Sequence, residues 1–219
     1  VNTNGLPVAK HYSCAYDIGM ICRQLMTYEF ARDWFTAWQE DIKVGLPGKE
    51  KDFTLTNTNK MIRTYKGAIG GKTGFTQDAG YCLAEAAQRD STRMIAVVLG
   101  CKDSKVRFAE TARLLDHGFA SYETVPVAKK GQKLRTITLP KSDQQEVAAV
   151  PEETIAATVK KGNKANITKK ISIDKSVACP VKKGEKVGTI HIYDGKKKIA
   201  SYPLVSDRDA EKAGFMTLY

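Results

Sequence analysis

The sequence lacks the cysteine and histidine spacing of a metal site. Its five cysteines, Cys14, Cys22, Cys82, Cys101 and Cys179, are odd in number and form no C-x-x-C pair, and the three histidines are widely separated. Structural zinc sites need closely spaced ligand pairs, and disulfide frameworks need even cysteine sets. We therefore predict no metal and no organic cofactor. The sequence leaves one disulfide bond possible and does not show which cysteines would form it.

Long apolar runs are also missing. No run approaches the roughly 20 residues of a membrane-spanning helix, and neither a signal peptide nor an initiator methionine is present. The first residues, 1–5, are typical of the interior of a longer protein. With 42% hydrophobic and 27% charged residues, the 219 residues are expected to form one large or two small globular domains.

Acidic residues are outnumbered by basic residues in the second half. From Thr124 onward, 19 Lys and Arg oppose 10 Asp and Glu, so this part carries +9 of the total net charge of +11. Such a charge suits an anionic surface such as a cell-wall polymer or lipid headgroups. A solvated lysine-rich face that aids solubility explains it equally well. The lysines lack interleaved aromatic residues for base stacking, so we predict no nucleic-acid partner.

The most informative stretch is Ile-Gly-Gly-Lys-Thr-Gly-Phe-Thr at residues 69–76. The Lys72 ammonium group provides a positive charge that favours a bound carboxylate and assists proton transfer. The Thr73 hydroxyl can donate to the same carboxylate. Gly74 allows a second backbone to approach, so that an extended peptide can lie along the strand. These residues predict a site that binds the carboxylate of a peptide.

A phosphate-binding loop is the main alternative for Gly71-Lys72-Thr73. That loop needs another glycine five positions before its Gly-Lys pair, and a helix after it. The required position holds Lys66, and residues 74–80 are rich in turn-forming residues. The sequence therefore favours the peptide site over a nucleotide site.

Apolar periodicity predicts helices over residues 11–28, 29–38 and 104–122. Ser13 is the predicted N-cap of the first helix, and Gly118 is the predicted end of the third. In the second helix, three aromatic residues share one face and are interpreted as core: Phe30, Trp34 and Phe35.

Strand patterns predict a hairpin and then a separate β-rich region. Residues 81–88 and 94–100 form the hairpin arms, although the first arm has the composition of a helix. Beyond a boundary near residues 122–125, short β-branched runs alternate with turns, and Asp194-Gly195 is a strong hairpin signal. The predicted strands cover residues 134–139, 155–159, 165–173, 187–193 and 199–204.

Taken together, the ordered motifs resemble one enzyme family. The similarity is to the D-alanyl-D-alanine carboxypeptidases, which are the low-molecular-mass penicillin-binding proteins. It rests on three stretches in order: Gly71-Lys72-Thr73-Gly74-Phe75-Thr76, Ala79-Gly80-Tyr81 and residues 93–100. Residues 1–17 resemble the segment before their Lys-Thr-Gly strand. Residues 180–188 resemble the β-rich domain that follows their catalytic domain. The resemblance covers essentially the whole chain.

The resemblance implies an α/β (α+β) fold in two domains. Residues 1–122 would be the C-terminal part of a penicillin-binding-protein and β-lactamase-like transpeptidase domain with an antiparallel sheet. Residues 123–213 would form a small all-β sandwich. Residues 214–219 would be the start of a membrane-anchor helix, too short to hold a membrane by itself. The implied location is extracytoplasmic, in the bacterial cell envelope, at the outer face of the cytoplasmic membrane.

The resemblance also implies serine acyl transfer on peptidoglycan stem peptides that end in D-Ala-D-Ala, with β-lactam antibiotics trapping the same serine. Lys72, Thr73 and Gly74 would be catalytic residues of the cleft. Thr73 and Thr76 would hold the terminal carboxylate of the substrate, together with Arg107. The alternative for Arg107 is an exposed charge on a helix.

The sequence departs from this family in its nucleophile. The family places Ser-x-x-Lys and Ser-x-Asn before the Lys-Thr-Gly strand, and the only literal match is Ser172 with Lys175, in a predicted strand where residues three apart point to opposite faces. The chain is therefore expected to be a C-terminal portion that is inactive alone. Three arrangements would each account for a folded fragment. An N-terminal fragment of the same protein could complete it, two chains could exchange structural elements, or the β domain alone could keep the chain folded.

Two other functions remain open at this stage. A β-lactamase shares Lys-Thr-Gly, although the trailing β domain argues against it. A non-catalytic cell-wall-binding or scaffold module could keep the same fold without activity. Comparing the hydrolysis of a penicillin with that of a D-Ala-D-Ala peptide distinguishes a β-lactamase from a carboxypeptidase. Labelling by penicillin distinguishes an enzyme from a non-catalytic module.

Overall fold

The computed structural model describes residues 1–213. The chain divides into two compact units, Val1–Ser121 and a second unit that begins at Tyr122. Each unit has its own hydrophobic core. No helix in the described part is both long and apolar enough to cross a bilayer. The expected start of an anchor helix, residues 214–219, lies outside the described residues.

The first unit contains four helices and five strands. The helices are α1 (Ala15–Leu25), α2 (Glu29–Thr36), α3 (Met61–Thr64) and α4 (Ser104–Ser121). The strands are β1 (Gln39–Val44), β2 (Lys51–Thr56), β3 (Ala68–Thr76), β4 (Gly80–Arg89) and β5 (Thr92–Cys101).

A three-stranded antiparallel sheet of order β3-β4-β5 forms the centre of this unit. On one face, Leu83 and Ala87 of β4 pack with Leu115 of α4. On the other face, neighbouring β4 side chains such as Ala84 pack with Met26 beside α1. Because residues 83–87 of β4 are buried on both faces, this stretch is apolar apart from Glu85 rather than alternating. This double burial explains its helix-like composition.

The predicted β4-β5 hairpin is confirmed. Arg89 pairs with Thr92, so the turn consists of Asp90 and Ser91. Asp90 has a φ of 52°, a left-handed conformation that aspartate tolerates better than most residues.

Two predicted helix ends are wrong. The first helix begins at Ala15 with Cys14 as its N-cap, and no side chain caps it, so Ser13 does not fill that role. The third helix predicted from the sequence is α4, and it continues past Gly118 to Ser121. At Gly118 an added Cβ would lie only 3.3 Å from the Met94 sulfur. The glycine therefore allows close packing of helix against sheet rather than ending the helix.

The core interpretation of the α2 aromatic residues is wrong for two of the three. Phe30 is 54% exposed and Trp34 is 71% exposed, and their rings meet edge-on with centroids 5.1 Å apart. Only Phe35 packs against the core. Other exposed apolar side chains on or beside α1 and α2 are Tyr12, Tyr16, Met20, Ile21 and Tyr28. Exposed apolar surface on this scale is typical of an interaction surface.

The second unit is an all-β sandwich, as predicted. Its strands are β6 (Tyr122–Ala128), β7 (Arg135–Thr138), β8 (Glu146–Pro151), β9 (Ile155–Lys160), β10 (Ile167–Ile173), β11 (Lys186–Asp194) and β12 (Lys197–Ser206). A short 3₁₀ turn, Lys164–Asn166, precedes β10. A five-stranded sheet of order β10-β11-β12-β8-β7 and the β6-β9 pair share one core.

Local signals in the second unit correspond to the observed turns. The predicted Asp194-Gly195 turn joins β11 to β12, and Gly195 has a φ of 58°. Strands β6 and β8 were not predicted from the sequence. All five cysteines of the chain are free thiols, so the disulfide left open is not formed.

Candidate active site

The Lys-Thr-Gly sequence lies in the middle of β3, at an edge of the central sheet. β3 pairs with β4 on one side, with Gly71 opposite Glu85 and Thr73 opposite Leu83. The strand continues to Thr76 instead of opening a helix. A phosphate-binding loop would need that helix, so this alternative is wrong.

Three of the predicted site residues lie on β3 in different surroundings. Lys72 is exposed, and its Nζ donates to the carbonyl of Thr73 at 2.6 Å. Thr73 is only 8% exposed, and its hydroxyl lies 2.6 Å from that of Thr58. The Thr76 hydroxyl accepts a hydrogen bond from the Ala79 N–H at 3.0 Å, within the turn to β4. Lys72 is thus the charged group at the open edge of the strand.

Gly74 differs from the other glycines of β3. A Cβ added there would meet nothing nearer than the Cys82 Cβ at 4.0 Å. The packing of this unit therefore does not require a glycine at position 74. A requirement for glycine would come from a ligand lying along the strand.

Arg107 lies in the first turn of α4 and is buried, with 6% exposure. Its Nη1 donates to the Gly74 carbonyl at 3.2 Å, and the guanidinium stacks over the ring of Tyr81 at 5.4 Å. Arg107 is therefore not an exposed helix charge. The structure joins it to β3 at Gly74. Among the described residues, its guanidinium makes no hydrogen bond to Thr73 or Thr76.

Glu85 is a buried acidic residue beneath β3 that sequence reasoning missed. Its side chain has no solvent exposure, and Oε2 accepts a hydrogen bond from the Asn59 amide at 2.6 Å. Its Oε1 has no partner among the described residues. Burial raises the pKa of Glu85 to about 7, against a smaller lowering by the Asn59 hydrogen bond. One available signal was the single charged residue within the apolar run 81–87.

The segment 57–59 links this carboxyl group to the Lys-Thr-Gly strand. The Asn57 amide donates to the carbonyls of Phe35 and Ala37, at 3.3 and 2.9 Å. The Asn59 side-chain oxygen Oδ1 accepts from the backbone N–H of Met61, where α3 begins. Asn59 is 1% exposed. The segment is therefore fixed at both ends, and it holds Thr58 against Thr73.

Substitution of Glu85 by glutamine is expected to change how stability depends on pH. The native carboxyl group has a pKa of about 7, raised from 4.5, so between these values the folded state keeps a proton that the unfolded state releases. Wild-type stability should therefore fall by about 3 kcal/mol as pH rises through this window. The Glu85→Gln chain should lose this dependence, as measured by urea unfolding at pH 4.5 and 8.

Glu40→Gln is the matched control, because Glu40 lies exposed on β1. This variant should keep the wild-type pH dependence. If the free energy of unfolding changed equally with pH in wild type and in Glu85→Gln, the raised pKa of the buried Glu85 carboxyl group would be contradicted.

Comparisons with known proteins cover nearly the whole chain. The profile of the family described as D-alanyl-D-alanine carboxypeptidase matches residues 1–103, and that of the penicillin-binding protein 5 C-terminal domain matches residues 122–212. D-alanyl-D-alanine carboxypeptidase DacF of Bacillus subtilis (strain 168) is 33% identical over 217 residues, covering 99% of this chain and 55% of DacF. DacC of Escherichia coli (strain K12) is 33% identical, covering 76% of this chain and 44% of DacC.

Solved structures show the same fold. Penicillin-binding protein 5 from Haemophilus influenzae superposes with a TM-score of 0.74 at 25% identity, covering 95% of this chain and 59% of that protein. A peptidoglycan synthesis regulatory factor (PBP3) from Streptococcus pneumoniae superposes with a TM-score of 0.64 at 22% identity, covering 90% and 56%, which shows the fold alone. The chain spans about half the length of the curated relatives it matches.

Proposed function

Because this chain belongs to the D-alanyl-D-alanine carboxypeptidase family of low-molecular-mass penicillin-binding proteins, we propose that it is part of a serine D-Ala-D-Ala carboxypeptidase of peptidoglycan maturation. The observation that carries the proposal is the Lys72-Thr73-Gly74 sequence on the open edge of an antiparallel sheet, with Arg107 beneath Gly74. We further propose that residues 1–122 belong to the catalytic domain and 123–213 to the β domain, with 214–219 as the start of an anchor.

In the proposed complex, a stem peptide ending in D-Ala-D-Ala adds to β3 as an extended strand. Backbone pairing along an open strand gives affinity without a deep pocket. Gly74 leaves room for the approaching backbone, since no neighbour requires a glycine there. Thr73 and Thr76 donate to the terminal carboxylate, and Arg107 contributes positive charge from behind Gly74. A β-lactam, which also carries a carboxylate, would occupy the same edge.

The nucleophile in this proposal is a serine from outside the 219 residues. Ser172 lies on β10 and is exposed, and Lys175 follows after the strand has ended. This arrangement does not bring a lysine amine to the serine hydroxyl, as activation requires. In the full-length parent, serine Oγ would attack the carbonyl carbon of the penultimate D-alanine, and the terminal D-alanine would leave with a proton. Water would then hydrolyse the acyl-enzyme, with Lys72 assisting proton transfer.

The proposed place of action is the outer side of the bacterial cytoplasmic membrane, where peptidoglycan is assembled. The excess of positive charge from Thr124 onward supports contact with an anionic surface there. We propose that this contact adds to an anchor beyond the described residues. An N-terminal portion of the same protein is the proposed partner that completes the cleft.

Arg107→Ala in the full-length parent tests this function. Arg107 supports the Gly74 carbonyl and supplies the buried positive charge behind this part of β3. Hydrogen bonds from charged groups contribute about 1.5–3 kcal/mol, so losing this support should lower kcat/KM for D-alanine release from a D-Ala-D-Ala peptide roughly tenfold or more. Arg113→Ala is the matched control on the same helix, because Arg113 is exposed and bonds only to Glu110 in the described structure. Thermal unfolding of both variants shows whether the fold is kept.

The result also distinguishes the other functions. Peptide turnover that is unchanged by Arg107→Ala would contradict the carboxylate role of this residue. A wild-type parent that hydrolyses penicillin faster than peptide would be a β-lactamase. A wild-type parent that takes up no penicillin and releases no D-alanine would be a non-catalytic wall-binding module.

A further inference from the structure

The segment of residues 57–59 connects the buried Glu85 to the hydroxyl of Thr73: Asn59 bonds to Glu85 at one end, and its chain neighbour Thr58 contacts Thr73. Glu85 Oε2 accepts from the Asn59 amide at 2.6 Å, and Asn59 N–H in turn donates to the Asn57 side chain at 2.9 Å. Between them, Thr58 places its hydroxyl 2.6 Å from that of Thr73. The Glu85–Asn59 and Thr58–Thr73 contacts join side chains that are distant in sequence, and the Asn59–Asn57 bond joins a backbone N–H to a side chain within one tight turn.

The carboxyl group of Glu85 also lies directly against the backbone of β3. A Cβ added to Gly71 would lie 2.4 Å from Glu85 Oε2 and 2.2 Å from the carbonyl oxygen of Ala84. The position next to Lys72 must therefore be glycine for Glu85 to reach Asn59. The strand and the buried carboxyl group are packed as one unit.

The Thr58–Thr73 contact decides which way the Thr73 hydroxyl points. A hydroxyl donates one hydrogen bond and accepts two. If the Thr58 hydroxyl donates to Thr73 Oγ1, the hydrogen of Thr73 remains available for a substrate carboxylate. Without Thr58, Thr73 would rotate freely or donate to a backbone carbonyl.

We propose that Glu85 is a positioning residue for carboxylate binding, which acts by anchoring Asn59 so that Thr58 orients the Thr73 hydroxyl toward the substrate. This inference rests on the proposed function and adds Thr58, Asn59 and Glu85 to its site. Glu85 touches no substrate atom in this account. Its removal would leave the buried Asn59 amide without an acceptor, which disfavours the observed turn.

The first test uses the full-length parent and two peptides that differ only at the C-terminus, a free D-Ala-D-Ala carboxylate and its carboxamide. Thr58→Val keeps the side-chain shape at an exposed position, so folding should be retained. Its kcat/KM for the carboxylate peptide should fall about tenfold, the loss expected for one hydrogen bond to a charged group. The carboxamide peptide should be affected less than twofold, and Thr58→Ser should restore the wild-type rate.

Two Glu85 variants test the anchor itself. Glu85→Met keeps volume but removes the acceptor, whereas Glu85→Gln keeps an acceptor for Asn59. Glu85→Met should reproduce the selective loss on the carboxylate peptide, and Glu85→Gln should remain close to wild type. Equal losses on both peptides, or no loss with Thr58→Val, would overturn the proposal.

Hydrogen exchange on the 219-residue chain gives a readout that is independent of catalysis. In Glu85→Met, the amides of Asn59 and Met61 should exchange at least about tenfold faster than in wild type, because their acceptors lie in the anchored turn. Unchanged exchange would overturn the anchor. If the wild-type parent releases no D-alanine, the proposed function fails, and the exchange result alone then decides whether Glu85 holds the turn.

Discussion

A penicillin incubated with the isolated 219-residue chain is expected to leave its intact mass unchanged. Covalent uptake needs a serine activated by an adjacent base, and the literal Ser-x-x-Lys pair places Ser172 on a strand with Lys175 beyond its end. Lys72 and Thr73 can shape a binding edge but cannot provide the acylated oxygen. Intact mass spectrometry after penicillin treatment measures the result directly.

The full-length parent is the positive control and should gain the mass of one penicillin. A separately produced N-terminal portion, added to this chain, should restore labelling where the two associate. An adduct on the isolated chain would contradict the assignment of the nucleophile to another part of the protein. Peptide mapping would then identify the modified serine.

Gly71→Ala should destabilise the first unit far more than Gly74→Ala, although both lie on β3. At Gly71 the new methyl group would meet the Ala84 carbonyl oxygen at 2.2 Å and the Glu85 Cα at 2.9 Å, so backbone must move. We expect a loss of about 3 kcal/mol or more, at the upper end of overpacking effects. At Gly74 the nearest atom is 4.0 Å away, and the change should stay within about 1 kcal/mol.

Urea unfolding of the two variants, followed by circular dichroism, compares them under the same conditions. The Gly74→Ala chain is the matched control for loss of glycine flexibility on the same strand. Similar midpoints for the two variants would show that β3 and β4 can separate at Gly71, and would contradict the tight packing of Glu85 beneath the strand.

The fold was predictable where a local pattern decides the structure. The β4-β5 hairpin followed from the apolar run at residues 94–100 and the polar turn before it. The change near Tyr122 followed from the repeated short β-branched runs. These signals work because a strand buried on one face has alternating apolar residues, and a strand buried on both faces has a continuous apolar run.

Burial by distant parts of the chain was not predictable. Phe30 and Trp34 have the spacing of a core face, yet both are exposed, because α2 contacts the sheet through other residues. The β1-β2 hairpin was missed because every β2 residue is exposed and only Ile42 of β1 is partly buried, so neither strand shows an apolar alternation. Helical or strand periodicity reports which residues share a face, and it does not report what covers that face.

The candidate site divides in the same way. Lys72, Thr73 and Gly74 are adjacent in sequence and form one motif, so they were found together. Glu85 and Asn59 are 26 residues apart, and only the pairing of β3 with β4 and the position of α3 bring them into contact. No short motif records such a pair, although a lone glutamate in an apolar strand was a usable signal.

The open edge of β3 has a consequence for handling the protein. A strand with unpaired backbone N–H and C=O groups is a template for pairing with any other chain, and aggregation begins at such edges. Within Lys72-Thr73-Gly74, only the Lys72 ammonium group provides a charge that opposes pairing with another chain. In the proposed complex a stem-peptide analogue occupies this edge, so its addition should lower the turbidity of concentrated solutions.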